Sequence, residues 1–458
     1  MSDSTQQSVL FPSMCAKPVH ITFDEPEMTS DGGALLLKAV DDRLGLSAAL
    51  ADVIVDPRDP SKVRHTVADL LRQRIFGLAL GYPDANDVAR IGVDPIFRML
   101  LGRDPVGGEA LASQSTISRF ENSATRCDLF RMGEIIADSV IDYHRSRLRR
   151  RRVRRITIDL DPTDAATYGE QQLSFFNGHY GHHCYLPLLG FVTFNDEPEQ
   201  YLYAAVLRSG RASARVGAIG LLRNTIRRLR EAFPKAKIRV RLDGGFAGPE
   251  MFEFLEQQDV EYLVAMGKNA VLGRRCARLM GTARRLSRER GTSVALFGET
   301  LYAARSWKKI KRRVIYKAEV TRYADRDARD NPRFVVTNLE YTPANLYKVY
   351  RMRGESENRI KELLDGLAID RMSCTSFKAN QVRVMMSAAA YVVMQALRCR
   401  MSCTKIGRKQ VGTLRLMLLK IAGKVRSSVR RIVISLAQNH PWREQWLMAA
   451  RAWGAVVT

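Results

Sequence analysis

The sequence predicts an α/β protein whose strand–helix core is interrupted by a β-rich insertion. A helical region precedes the core and a basic helical region follows it. Three observations predict this. From about Thr29 the apolar residues recur at helical spacing. At Ile156 the pattern switches abruptly to strand alternation, after which strands and helices take turns. Residues 371–443 then hold 15 Lys or Arg and no Asp or Glu.

Residues 1–15 are polar and read as a frayed tail. In the helical region, 16–150, Leu35, Leu36, Leu37, Val40 and Leu44 mark one face, and Val67, Leu70, Leu71, Ile75 and Phe76 another. Asp84 to Ile91 reads as a short helix. Ser113 to Asn122 opens with hydroxyls ahead of apolar positions, a helix start. Its Ser115, Thr116, Ser118, Arg119 and Asn122 form either a surface suited to phosphates and bases or a plain capped surface helix. Arg145 to Arg155 packs eight arginines into eleven residues, as a solvated helix end or linker or as a contact to a nucleic-acid backbone.

The first part of the core spans 151–267. Ile156, Ile158 and Leu160 alternate with Thr157, Asp159 and Asp161, which predicts a strand with one apolar and one acidic face. Pro187 to Val192 and Tyr201 to Leu207 read as strands about the turn Asn195-Asp196-Glu197-Pro198. Ala214 to Phe233 is an amphipathic helix carrying Ile219, Leu222, Ile226 and Leu229 on its apolar side. Ile238 to Leu242 is a strand ending in Asp243, Pro249 to Leu255 a short helix, and Val260 to Ala265 another strand. Residues 268–330 read as a β-rich insertion with a basic surface, in which Arg305, Lys308 and Lys309 flank Trp307. Phe334 to Asn338 resumes the main sheet within the second part of the core, 331–370, and Tyr350 to Leu367 reads as a helix. Residues 371–458 form the basic helical region.

Bulk numbers limit the function. Lys and Arg number 73 against 48 Asp and Glu, a formal net charge of +25. Such an excess argues for a polyanionic partner, nucleic acid or an anionic membrane surface. MSDSTQQSVL lacks the basic-then-apolar pattern of a secretory signal. Val384 to Leu397 falls short of the roughly 20 apolar residues of a membrane span and contains Ser387 and Gln395, so it reads as a buried helix. The seven cysteines form no CxxC pair; Cys399 and Cys403 make half a zinc site at most, and reduced thiols are the simpler account. His179, His182 and His183 cluster without a repeated ligand spacing, as polar loop or DNA-contacting residues more readily than as metal ligands. A cytoplasmic, nucleoid-associated protein is expected.

Three carboxylates carry the chemistry. Asp161 and Asp243 each lie at the end of an apolar strand, where sites of open α/β sheets collect. Two glycines after Asp243 let the backbone pass close to a site, though Asp243 could equally cap the next helix. Helical spacing stacks Tyr350, Arg353, Glu357 and Lys361 on one side, as an ion-pair ladder or as a glutamate that binds metal between cations that hold phosphates. Two divalent ions about 4 Å apart need several hard oxygen ligands. Asp161, Asp243 and Glu357 would supply them, favouring Mg²⁺, with Mn²⁺ substituting, over zinc.

These motifs resemble the DDE transposases of insertion sequences, in the IS4-like group, and are most similar to the IS1380 family. The resemblance covers about residues 16–400. It rests on Ile158-Asp159-Leu160-Asp161-Pro162-Thr163-Asp164, on Leu242-Asp243-Gly244-Gly245-Phe246, and on the stretch from Tyr350 to Lys361. Asp161 matches the first catalytic position best, and Asp159, on the same strand face, is its rival. Tyr350, Arg353 and Glu357 match the third motif. The lysine usual seven residues after the glutamate is absent, since position 364 is Leu, and Lys361 stands one turn earlier. Gln114 to Asn122 resembles the family's N-terminal patch.

The resemblance implies an RNase H-like core with a β-rich insertion ahead of the catalytic glutamate. It implies cleavage at terminal inverted repeats, joining of the freed 3′-hydroxyls to target DNA, and a homodimer on the paired DNA ends. Tyr350, Arg353, Lys361, Arg119, Arg305, Lys308 and Lys309 are the expected DNA contacts. Trp307 either stacks on a flipped base or packs inside the insertion. The rival readings are a metal-dependent nuclease without strand transfer, an inactive DNA-binding protein, and a membrane-surface protein for which Trp442, Trp446 and Trp453 are the one hint.

Overall fold

The computed structural model describes residues 9–11, 17–307, 310–323 and 326–456. Its centre is a nine-stranded mixed sheet. The strands are β1 (Arg155–Pro162), β2 (Leu188–Phe194), β3 (Tyr201–Val206), β4 (Lys237–Leu242), β5 (Glu261–Met266), β6 (Val294–Tyr302), β7 (Arg312–Tyr323), β8 (Arg326–Asp330) and β9 (Arg333–Thr337). They lie in the order β6-β7-β9-β5-β4-β1-β2-β3, with β8 paired to β7. β4 runs parallel to both β1 and β5. The other neighbours are antiparallel.

Connection length accounts for this order. A short turn joins β2 to β3, as antiparallel neighbours allow, whereas each parallel pair needs a crossover. The helices Ala218–Ala232 and Pro249–Gln257 supply the links into β4 and β5. Their apolar sides, Leu222, Ile226 and Leu229 in the first and Met251, Phe252 and Leu255 in the second, are buried. The acidic face predicted for β1 is not solvated. Residues 156–161 are all buried, because helices cover one side of the strand and Arg241 of β4 neutralises Asp159 on the other.

Five further helices position the site: α1 (Val67–Leu80), α2 (Gln114–Ser123), α3 (Arg126–Arg147), α4 (Ala270–Arg290) and α5 (Phe377–Arg400). Capping boxes start α1 at Thr66 with Asp69 and α3 at Thr125 with Asp128, satisfying otherwise unpaired N–H groups. The helix α5 is buried almost all round and packs against α1, α3 and β3. Its two glutamines explain why this apolar run tolerates them. Gln381 accepts from Leu207 N (2.5 Å) and donates to Ala205 O (3.1 Å). Gln395 accepts from Leu202 N (2.9 Å) and donates to Gln200 O (2.8 Å). They pair the open edge of β3, which would otherwise present bare backbone groups in the interior. No helix of the described residues is long and apolar enough to cross a membrane.

Two parts of the chain differ from expectation. Residues 268–330 open with the 21-residue helix α4, and β6 to β8 extend the main sheet. Leu272, Cys276, Met280 and Ala283 form a buried stripe, but the arginines between them mask its period. The C-terminal region is not wholly helical: Gly423–Ser427 and Ile432–Leu436 form a hairpin that pairs with Met28–Thr29 near the other end of the chain. One apolar core joins residues of the helical region, the sheet and the C-terminal region.

Candidate active site

The site begins with strand register. Parallel pairing of β1 with β4 sets Asp159 beside Arg241 and Leu160 beside Leu242. The next residues along the same edge are Asp161 and Asp243. Neighbouring strands lie roughly 4.8 Å apart, so two carboxylates separated by 81 intervening residues share one sheet edge. Asp243 begins the turn Gly244–Phe246, and its Oδ1 accepts from Gly245 N at 2.8 Å. A Cβ on residue 245 would stand 3.1 Å from that oxygen, so the close approach favours glycine.

The third motif comes from the helices α6 and α7, defined here as Pro343–Arg351 and Glu355–Leu367. The single helix expected from Tyr350 to Leu367 is broken by a 3-10 turn, Met352–Gly354, which contains glycine, a poor helix former. Tyr350 therefore closes α6, Arg353 sits in the turn, and Glu357 lies in the first turn of α7.

Arg353 ties the pieces together. Its Nη1 donates to Asp161 Oδ2 at 2.7 Å, and its Nη2 lies 3.9 Å from Glu357 Oε1. Ser356 Oγ donates to the same Asp161 oxygen at 2.7 Å. Burial raises the Tyr350 hydroxyl pKa, and the Arg353 charge beside it opposes that rise. Asp161 is 7% exposed, whereas the Glu357 side chain is 65% exposed. Lys361 is exposed one turn beyond it.

Burial pushes the Asp161 carboxyl up to about 6; Arg353 and Ser356 oppose the shift and Asp243 adds to it. Desolvation thus outweighs the guanidinium, and the site favours more positive charge. Because the folded-state pKa is raised, the contribution of Asp161 to stability is largest below the ordinary value of 3.8 and is lost as pH rises through about 6. Asp161→Asn is therefore expected to gain in melting temperature relative to wild type between pH 4 and pH 7. A difference that stays flat across that window would contradict the assignment.

Asp159, the rival first ligand, has a different role in this geometry. It is fully buried, and Arg241 grips it with Nε at 2.8 Å and Nη2 at 2.7 Å while Gln200 Nε2 donates at 3.0 Å. Arg241 Nη1 also donates to Val349 O at 2.9 Å, fastening the end of α6 to the sheet beside the site. Sequence reasoning did not single out Arg241, Gln200 or Ser356. Ser356 lies inside the quoted motif, but the partners of Asp159 depend on strand register that spacing does not disclose.

A family model described as the transposase DDE domain group 1 matches residues 11–452. The chain belongs to this family. No curated protein matches it.

Divalent metal is typical of DDE transposases, and the donor set suits it in chemistry: hard carboxylate oxygens, two of them adjacent, one held in a buried setting that disfavours its own charge. Glu357 approaches only as far as Arg353, and among the described residues no three His, Cys, Asp or Glu side chains are gathered into a ready metal site.

The other expected residues of the transposase lie elsewhere. Arg119 is exposed on α2 and lines a cavity of about 580 Å³ with Arg58, Lys62 and Arg64. Arg305 is exposed, and Lys308 and Lys309 lie outside the described residues. Trp307 does not offer its ring to a base. It is 8% exposed, edge-on to Phe252 with centroids 5.2 Å apart and to Tyr302 at 6.2 Å, with Arg312 over its face. Of the two expected settings the structure has the packed one: Trp307 joins the ends of β6 and β7 to the helix Pro249–Gln257. His182 pairs with Asp164 at 2.9 Å. Trp453 is buried and stacks on Tyr143, which removes it from any membrane-facing rim.

Proposed function

We propose that this transposase serves an insertion sequence of the IS4-like group, most similar to the IS1380 family. In this reading it cleaves at the terminal inverted repeats and joins the 3′-hydroxyl ends to target DNA by divalent-metal-dependent phosphoryl transfer. The observation that carries the reading is the adjacency of Asp161 and Asp243 at the ends of neighbouring parallel strands, with Arg353 bonded to Asp161 and reaching toward Glu357. The strand order β3-β2-β1-β4-β5, three antiparallel strands followed by two parallel ones, supports an RNase H-like core. On this reading residues 16–150 bind DNA, 151–267 and 331–370 form the core, 268–330 are an insertion into it, and 371–458 supply a basic flank. A homodimer on paired ends follows from the same resemblance.

Asp161, Asp243 and Glu357 would hold Mg²⁺ or Mn²⁺, two ions in all. Such ions activate the attacking oxygen and stabilise the leaving one. The chain's own residues do the rest. Arg353, with Tyr350 beside it, directs hydrogen-bond donors toward the carboxylate edge, where a scissile phosphate would lie. Lys361, exposed one turn past Glu357, is placed for a flanking phosphate. Ser356 fixes one oxygen of Asp161, so that the other keeps its direction.

The test is cleavage and joining of DNA that carries the flanks of the gene, with Mg²⁺ present. Cutting without joining would favour the nuclease reading, and binding without either would favour an inactive DNA-binding protein. For the helical region, Arg119→Ala is expected to weaken DNA binding evenly across sequences. The slope of log affinity against log salt should fall by about one. An unchanged slope would remove Arg119 from the contact set.

A further inference from the structure

We propose that Arg353 is a built-in placeholder for the metal: in the metal-free protein its guanidinium occupies the charge position between Asp161 and Glu357, and it must leave Asp161 before that carboxylate can take a divalent ion. This rests on the metal-dependent reading above and goes beyond it, because it assigns Arg353 a role before DNA arrives.

Three observations carry it. The Nη1 of Arg353 sits 2.7 Å from Asp161 Oδ2 while Nη2 of the same group faces Glu357 Oε1 at 3.9 Å, so one fork spans two of the three carboxylates. Asp161 and Asp243 are adjacent and repel each other, a repulsion that a cation in the cleft relieves. Finally, Arg353 belongs to a 3-10 turn between two helices, not to the interior of either. A turn of this kind can swing a side chain without breaking a helix ladder. Once off Asp161, the guanidinium is free for a bidentate contact to a DNA phosphate. One cation thereby holds the carboxylates before a metal ion does and then serves the substrate, which couples metal loading to DNA engagement.

The test is Mn²⁺ affinity without DNA, read by electron paramagnetic resonance of the free ion on the full chain. Arg353→Met removes the competing charge, and a neighbouring charge shifts a carboxylate's affinity for a cation by about tenfold or more. Arg353→Met is therefore expected to bind Mn²⁺ about tenfold more tightly than wild type while losing affinity for DNA. Equal or weaker Mn²⁺ binding would overturn the placeholder role. Ser356→Ala removes the other donor on the same oxygen but no charge. It should leave Mn²⁺ affinity within about twofold, and a gain equal to that of Arg353→Met would show that charge is not what competes. Should the methionine variant not fold, Arg353→Gln takes its place. It removes the charge and keeps a polar side chain, so tighter Mn²⁺ binding is again expected and unchanged binding counts against the proposal. Asp161→Asn and Asp243→Asn separate the two readings. If neither lowers Mn²⁺ affinity, the metal-dependent reading itself fails. If both do and Arg353→Met gains nothing, only the placeholder fails.

Discussion

Asp161→Asn is expected to lower DNA cleavage and joining by about 10³-fold or more while leaving DNA binding within a few-fold, since charge stabilisation of this kind supplies much of the rate of phosphoryl transfer. Asp243→Asn and Glu357→Gln should act alike. Asp161 and Asp243 follow paired strand positions, and Arg353 links Asp161 to Glu357. Substitutions of the three carboxylates therefore remove parts of one unit, and pairs of them should cost little more than singles. Cleavage of flank-bearing DNA at saturating Mg²⁺, beside a gel-shift measurement of binding, checks this. The decisive comparison is Asp159→Asn. Asp159 sits one pleat deeper, fully buried and gripped by Arg241 and Gln200, so its substitution should cost stability first. Assayed at a temperature where it is folded, Asp159→Asn should keep cleavage within about tenfold of wild type. If it were instead as inactive as Asp161→Asn, the first catalytic position would have to move by one strand pleat.

The second large effect is on stability. Arg241→Ala leaves the Asp159 carboxylate buried without its guanidinium. Breaking a buried ion pair from one side typically costs about 3–5 kcal/mol. Arg241 is 3% exposed and Asp159 is fully buried, so solvent offers no substitute partner. The loss should be visible as an earlier midpoint in urea, and as detachment of Val349, hence of Tyr350 and Arg353, from the sheet. Combining Asp159→Asn with Arg241→Met removes both charges and should recover much of the stability lost by Arg241→Ala. A double variant no more stable than Arg241→Ala would show that the pair holds the fold through shape and not through charge.

The same residues mark how far the sequence could be read. Alternation in β1 and β4, the short apolar run of β5 and the clear helical stripe of Ala218–Ala232 placed those elements to within a few residues, because each buries its apolar residues in the core around the sheet. The buried run at Val384 to Leu397 was legible as a helix too. Its glutamines were not legible as edge-strand partners, since the backbone groups they pair belong to residues nearly 200 positions earlier. The helix α4 was hidden because arginines fill its outer face and leave an apolar stripe only one residue wide. The hairpin Gly423–Ser427 with Ile432–Leu436 was hidden for another reason: it is completed by Met28–Thr29, from the far end of the chain.

By itself the sequence determined the α/β class, the basic character, and the three acidic motifs with their neighbours. All of these are local in the chain: periodicity, composition and spacing within a dozen residues. Only the tertiary structure decided that Asp161 meets Arg353 while Asp159 is locked by Arg241, that Trp307 packs inward, and that Arg353 joins two of the carboxylates. The physical reason is register. Asp159 and Asp161 share a strand face and the same kinds of neighbours in sequence, yet a step of two residues along the parallel pairing gives Arg241 to the first and Asp243 to the second. That pairing is set by the fit of whole strands and the core around them, and no stretch of sequence near either aspartate contains it.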